Sequence, residues 1–267
     1  KYKWGPNLYY HLAAIYNVHP TYVQFMIGDA RYTSSEIVSL LKRLEKKDAR
    51  SFNKNLLSPL HQENYINDEN NWDVKDFCQR KSVLLLGAGP SIRLYNNSLL
   101  NYVKSRCETL QVYSINAHKN FPDKHIKANI VVDEFRALVE KDRHLKSKLP
   151  IISPNSIKNI LYEKNAPQIT ENLFGVKVNI NTLDCNFNSC VIPYPITFAY
   201  ALMFAHSAGA KEILLAGFDG FDSNDPRQIE MVQTIELYNN RSDALKITSI
   251  TPTNYPVNHG SLYAPSI

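Results

Sequence analysis

From Ser82 onward, short unbroken apolar runs alternate with longer stretches whose apolar positions recur at helical spacing. The runs predict buried parallel strands at Val83–Leu86, Val112–Ile115, Ile130–Val132, Pro150–Ser153, Val176–Ile180, Ile213–Ala216 and Ile247–Ile250. Helices are predicted between them at about Asn96–Arg106, Glu134–Lys146, Ser156–Glu163, Ile196–Ala208 and Gln228–Asn239. Alternation of this kind, joined by right-handed crossovers, implies an α/β fold: a Rossmann-like, mostly parallel, doubly wound sheet covered on both faces. The chain ahead of it has no strand pattern. Pro6–His19 and Thr21–Gly28 read as helices, and Thr33-Ser34-Ser35-Glu36 caps a third that runs to about Lys47, with Ile37, Leu40, Leu41 and Leu44 on one face. The expected organisation is a small all-helical segment (1–57), a linker rich in Asn and Asp (58–80) and the α/β domain (81–267). Trp72 and Phe77 are expected to pin the second half of the linker to the domain that follows.

The α/β domain is organised around Ser82–Ser91, SVLLLGAGPS. A buried strand runs into Gly87-Ala88-Gly89-Pro90-Ser91, which turns the chain into a helix. The two glycines allow a close backbone approach, Pro90 presets φ for a first helical turn, and Ser91 adds a hydroxyl. With the positive end of the following helix, the turn is expected to hold a nucleotide phosphate. The competing reading is a tight strand-to-helix turn that binds nothing. A dinucleotide fingerprint is excluded, since Arg93 stands near the third glycine's place and the next strand ends in Asn116 rather than an acid. A P-loop is excluded because no Gly-Lys-Ser/Thr follows.

Composition narrows the partners. A chain of 267 residues, 44% hydrophobic, can bury a proper core, and its net charge of +5 with scattered Lys and Arg suits an anionic small ligand or a membrane surface. It is too mild and dispersed for nucleic acid. No apolar run approaches a bilayer span and no signal peptide opens the sequence, so the expected place is the cytoplasm, with peripheral association at the inner face of the membrane. Cys78, Cys107, Cys185 and Cys190 form no CxxC pair and are expected to be free thiols.

Ligands of such sheets bind at the carboxyl ends of the strands. Those ends carry Asn116-Ala117-His118, Asp133-Glu134, Ser153-Pro154-Asn155, then Thr197 at a helix start and Gly217-Phe218-Asp219-Gly220-Phe221-Asp222. GAGPS, a strand ending in Asn116, one running into Asp133, one ending at Ser153-Pro154-Asn155, and ITFAYALMFAHSAGAKEILLAGFD follow one another in the order of the bacterial CMP-sugar sialyltransferases. Over Lys81–Pro252 the chain resembles that family, and it is similar to the motility-associated-factor glycosyltransferases and the archaeal-type 6-hydroxymethylpterin diphosphokinases. The resemblance implies that Gly87, Ala88, Gly89, Pro90, Ser91, Asn116, Asp133, Ser153, Asn155 and Thr197 bind the nucleotide, and that Asp219 matches the family's acid. Ala88 stands where the family has Asn, and no His precedes the helix at Gln228, where the family has its general base.

That leaves Asp219 or Asp222 to take the acceptor proton or to attack the anomeric carbon, with Asp225 and Glu230 in the same region. His118 is a rival base, and His259 a weaker one. The competing readings make Asp219 a helix or turn cap and Asp222 a turn residue. The implied reaction moves an acidic 2-keto sugar, sialic-acid-like or 3-deoxy-octulosonic, from a CMP donor to a surface-glycan acceptor, with no cofactor and no metal. Alternatives are an Mg²⁺-dependent diphosphokinase and a non-catalytic nucleotide-binding module. The N-terminal run WGPNLYYHLAAIYNVHPTYVQFMIGDARYTSSEIVSLLKRL resembles the C-terminal helical end of 4-hydroxy-2-oxovalerate-type aldolases, which implies an upstream barrel. Its Tyr9, Tyr10, Tyr16, Tyr22 and Phe25 would then form a docking or dimerisation face.

Overall fold

A computed structural model describes residues 72–118, 120–133, 137, 140–155, 157, 171–179, 181–222 and 225–263. Contacts divide the chain into two units, Lys1–Gln62 and Glu63–Ile267. The first unit, and with it the predicted N-terminal helices, their aromatic face and the aldolase resemblance, lies outside the described residues, as does almost all of the predicted helix Ser156–Glu163.

The second unit is an α/β Rossmann-like domain. Its strands are β1 (Ser82–Leu86), β2 (Leu110–Ile115), β3 (Ala128–Ile130), β4 (Ile151–Ser153), β5 (Glu171–Leu173), β6 (Gly175–Val178), β7 (Asp184–Cys185), β8 (Ser189–Ile192), β9 (Ile213–Ala216), β10 (Ile247–Ser249) and β11 (Asn258–His259). The helices include α1 (Ser91–Leu94), α2 (Asn96–Ser105), α3 (Lys141–Ser147), α4 (Thr197–Ser207) and α5 (Pro226–Asn239). Eight strands form one sheet in the order β11-β10-β9-β1-β2-β3-β4-β5, and every neighbouring pair is parallel. The strand order reverses between β1 and β9. In a doubly wound sheet that switch point is where the crevice opens.

β1 is covered on both faces, which is why its sequence reads as an unbroken apolar run rather than an alternation. On one face Leu84 and Leu86 join Leu99, Tyr102 and Val103 of α2, Val112, Leu214 and Ile250. On the other lies α4, ten of whose eleven residues are buried. A helix apolar all round must be covered all round, and α4 is: it packs on β2, on α5 and on β7 and β8.

Two expectations change here. The predicted strand Val176–Ile180 is β6, and it belongs to a separate three-stranded sheet, β6-β8-β7, with β6 parallel and β7 antiparallel to β8. The main sheet is completed on that edge by β5 instead. β3 also starts earlier than predicted, because its ladder to β2 begins at Tyr113 opposite Ala128, and Val131 and Val132 follow it as buried extended chain.

The second half of the segment read as a linker packs on the domain. Val74 N–H donates to Phe187 O at 2.8 Å, Cys78 N–H to Ala208 O at 2.8 Å, and Arg80 N–H to Gly209 O at 3.1 Å. Trp72 stacks on Phe204 with ring centroids 6.0 Å apart, and Phe77 meets both rings edge-on. Among the described residues no helix is long and apolar enough to cross a membrane.

Candidate functional site at the switch point

The turn after β1 is held from the β9 side. Gly87 N–H donates to Ala216 O and Gly89 N–H to Gly217 O, both at 2.8 Å. A Cβ on Gly87 would stand 2.4 Å from Gly217 O, and one on Gly89 would stand 1.8 Å from Asp219 Oδ2. The glycines therefore admit a neighbouring strand end, not an incoming ligand. Ser91 N–H faces Asp219 Oδ1 at 3.2 Å, and its hydroxyl donates to Asp219 Oδ2 at 2.9 Å. Ser91 Oγ also lies 3.2 Å from Thr251 Oγ1, which accepts Gly217 N–H at 3.0 Å.

The phosphate-facing turn of the sequence reading is thus corrected on two counts. α1 is a single four-residue turn that breaks at Tyr95, φ −106°, before α2 begins, so little macrodipole stands behind Ser91. The amide that would meet a phosphate there already meets the Asp219 carboxylate. Within the turn Ala88 and Pro90 are exposed.

The β2 side is different. Asn116 takes a left-handed conformation, φ 60°, and its Oδ1 accepts the Thr197 hydroxyl at 3.4 Å across from the start of α4. A non-glycine residue held there is a strained element that its surroundings must fix. They do so through Asn116 N–H to Ile130 O, 2.9 Å, and Ala117 N–H to the buried Glu140 carboxylate, 3.0 Å. Arg143 braces the same loop, reaching Ala117 O and Glu140 Oε1 at 3.3 Å each. Beneath it Ser114 donates to the Asn129 side chain, which lies 3.5 Å from His144. Glu140 and Arg143 were not singled out from the sequence, where they are two charges in a polar helical stretch with nothing to mark one as buried.

His118 bridges the two strand ends. Its Nδ1 accepts Asn120 N–H at 3.1 Å and its Nε2 faces Gly87 O at 3.0 Å, an arrangement that places the ring proton on Nε2. With both nitrogens engaged, the ring serves as a tie between β1 and β2 and has no lone pair turned to a substrate. Ser153 is buried at the end of β4, level with Asn116 through the β2–β3–β4 register, and the half-buried Asp133 and Asn155 stand beside it.

Of the acids beyond β9, Asp219 joins the turn, whereas Asp222 is exposed and its carbonyl accepts Asp225 N–H at 2.9 Å. Asp225 caps α5, accepting Arg227 N–H at 2.9 Å and the Arg227 fork at 2.5 to 3.2 Å. Burial works to raise the Asp225 carboxyl, but those Arg227 hydrogen bonds outweigh it and hold the group below the ordinary aspartate range. Glu230 on the same helix is raised, by burial first and by the Asp225 charge second.

A cavity of about 250 Å³ opens at the carboxyl ends of β10 and β11, lined among others by Tyr95, Thr251, His259, Ser261 and Tyr263. His259 is exposed in it. Among the described residues no group of three or more His, Cys, Asp and Glu side chains is placed to hold a metal ion. Compared with known proteins, the chain matches no family model, no curated protein and no solved structure.

Proposed function

We propose that this domain binds a CMP-sugar across the switch point and transfers its acidic 2-keto sugar to a glycan hydroxyl. The observation that carries the reading is the position of the strand-order reversal, between β1 and β9, with Asn116, Thr197 and Ser153 on one side of it and the β10–β11 cavity on the other. The donor's nucleotide takes the β2–β4 side, where amides and hydroxyls surround a strained Asn116. The acceptor enters the β10–β11 side, whose tyrosines and hydroxyls suit a sugar ring.

Asp219 lies between the two. Its carboxylate uses two acceptor positions on Ser91 and has others left. In the proposed step the acceptor oxygen bonds to the anomeric carbon, the bond from that carbon to the CMP phosphate breaks, CMP leaves with the electron pair, and Asp219 takes the acceptor proton.

A second reading, a non-catalytic nucleotide-binding module, is favoured by one fact: His118 and Asp219 are both engaged in structural bonds. Thermal shift of the full chain against CMP, CDP, ATP with Mg²⁺, and NAD separates the readings. CMP or CDP should stabilise most, and a response to ATP with Mg²⁺ alone rejects the CMP-sugar proposal in favour of phosphoryl transfer. CMP binding without turnover or hydrolysis of any CMP-sugar selects the module.

A further inference from the structure

The three-stranded sheet contains a pair of cysteines that the proposed chemistry does not use. β7 and β8 form an antiparallel hairpin in which Cys185 stands directly opposite Cys190. The turn fixes what kind of pair this is. Asn186 N–H donates to Ser189 O at 2.9 Å, so 186 and 189 are a hydrogen-bonded pair closing the turn. Pairs alternate along an antiparallel ladder, which makes Cys185 and Cys190 a non-hydrogen-bonded pair, the kind with Cα atoms about 4.5 Å apart. A disulfide needs about 4.4 to 6.8 Å between its Cα atoms. Directly opposed residues also project from the same face, so both Cβ atoms leave the hairpin on one side.

We propose that Cys185 and Cys190 are an oxidation site, closing to a disulfide that staples the β7–β8 hairpin when the protein meets a small-molecule disulfide. The half-buried Cys185 is the attacking thiol and the fully buried Cys190 resolves the intermediate. The Cys185 thiolate displaces one glutathione thiol from oxidised glutathione, giving a mixed disulfide. Cys190 then displaces the second glutathione. Two protein thiols are oxidised, one glutathione disulfide is reduced to two thiols, and the two protons end on glutathione. Burial raises both protein thiols above their ordinary range, so closure is slow at neutral pH and speeds up as pH rises.

The hairpin is joined to more than its own strands. Its turn holds the Trp72–Val74 segment through Val74 N–H to Phe187 O and Asn188 Nδ2 to Trp72 O, 3.2 Å, with Lys75 over the Phe187 ring. β8 itself leads through Pro193 and Pro195 into Thr197 and α4. Closing the bridge stiffens an element that touches both the entry segment and α4.

The test uses the full chain incubated with oxidised glutathione at about pH 8.5, alkylated and digested with trypsin. Both cysteines fall in one tryptic peptide, Val178–Lys211, and Cys78 and Cys107 in others. The expected result is loss of two hydrogens from Val178–Lys211, with a melting temperature about 3 to 6 °C higher that dithiothreitol reverses. Cys190→Ala should show no rise and should accumulate glutathione on Cys185. A peptide that retains two alkylatable thiols while the exposed Cys107 is oxidised overturns the proposal, as does a cross-link that leaves the melting temperature unchanged.

Discussion

The two flanks of the β1 turn are built on opposite terms. On the β9 flank each polar group has a protein partner: Gly87 and Gly89 N–H meet strand-end carbonyls, Ser91 meets Asp219, and Thr251 closes the circuit. On the β2 flank Ile130 O and the Ser114 hydroxyl hold the Asn116 backbone in its left-handed conformation, while its side chain has one long contact, from Thr197; Ala88, in the turn between the flanks, is exposed. One flank is a seam that fastens the two halves of the sheet. The other fixes the Asn116 backbone and ties β1 to β2 through His118, leaving the Asn116 side chain with a single long bond. A glycine-rich turn can thus serve packing on one side and, under the proposed function, recognition on the other.

The comparison breaks most visibly at Gly87. A methyl there meets the Gly217 carbonyl, which is backbone and cannot swing aside. Gly87→Ala should cost about 3 kcal/mol by overpacking and lower the melting temperature accordingly. At Gly89 a methyl meets the Asp219 side chain, which can rotate, and also the same Gly217 carbonyl, 2.6 Å away, which cannot, so Gly89→Ala should cost a similar amount and in addition release Ser91. A thermal melt within about 0.5 kcal/mol of wild type for either variant would mean that the Gly217 carbonyl does not close on the turn.

Asp219 itself tests whether the seam is only a seam. Asp219→Ala removes the acceptor of both Ser91 bonds and should cost about 1 to 2 kcal/mol. Asp219→Asn leaves an amide oxygen for Ser91 and should melt within about 0.5 kcal/mol of wild type, yet lose transfer activity, since the amide cannot take a proton. Full turnover by the Asn variant would assign Asp219 to structure alone. Next along the same flank, Asp225 fastens α5 to the loop after β9. Its carboxyl is held below the ordinary value of 3.8, so the stability it contributes is complete above that value and is lost as pH falls through its lower folded value. Asp225→Ala should cost about 1 kcal/mol at pH 7 and melt with a shallower acid dependence below pH 4 than wild type.

How much of this the sequence could disclose differs by flank too. The central parallel strands were legible because burial on both faces leaves an unbroken apolar run, as in Val83–Leu86 and Ile213–Ala216. β5, Glu-Asn-Leu, and β11, Asn-His, were not, since edge strands of two or three mostly polar residues have no period to read. β7 and β8 were missed because the turn between them, Asn186-Phe187-Asn188-Ser189, has neither glycine nor proline and depends on the Asn186 side chain accepting Asn188 and Ser189 N–H. At the site, the residue types at the strand ends were visible, as was Asn116 after β2. The partnership of Ser91 with Asp219 was not, because the two stand 128 residues apart and only the strand order brings β9 beside β1. Glycine in a turn says that something comes close without saying what.

The open flank is sharpened by substitutions that should leave stability almost alone. Asn116→Gly removes the side chain but suits φ 60° better than any other residue, so the fold should be kept within about 0.5 kcal/mol while nucleotide affinity falls about tenfold. Unchanged affinity for CMP would take Asn116 out of the site. The smallest stability effect should come from Ala88, one residue from the most sensitive position in the turn. Its side chain is exposed, so Ala88→Glu should melt within about 0.5 kcal/mol of wild type. The new carboxylate nonetheless stands where the turn faces outward, and its repulsion of a phosphate should weaken CMP by severalfold, less so as salt rises and screens the pair. Titration calorimetry at low and high ionic strength measures both arms. If Ala88→Glu binds CMP as tightly as wild type at low salt, the nucleotide does not lie on the β2 flank, and the two sides of the turn are equally closed.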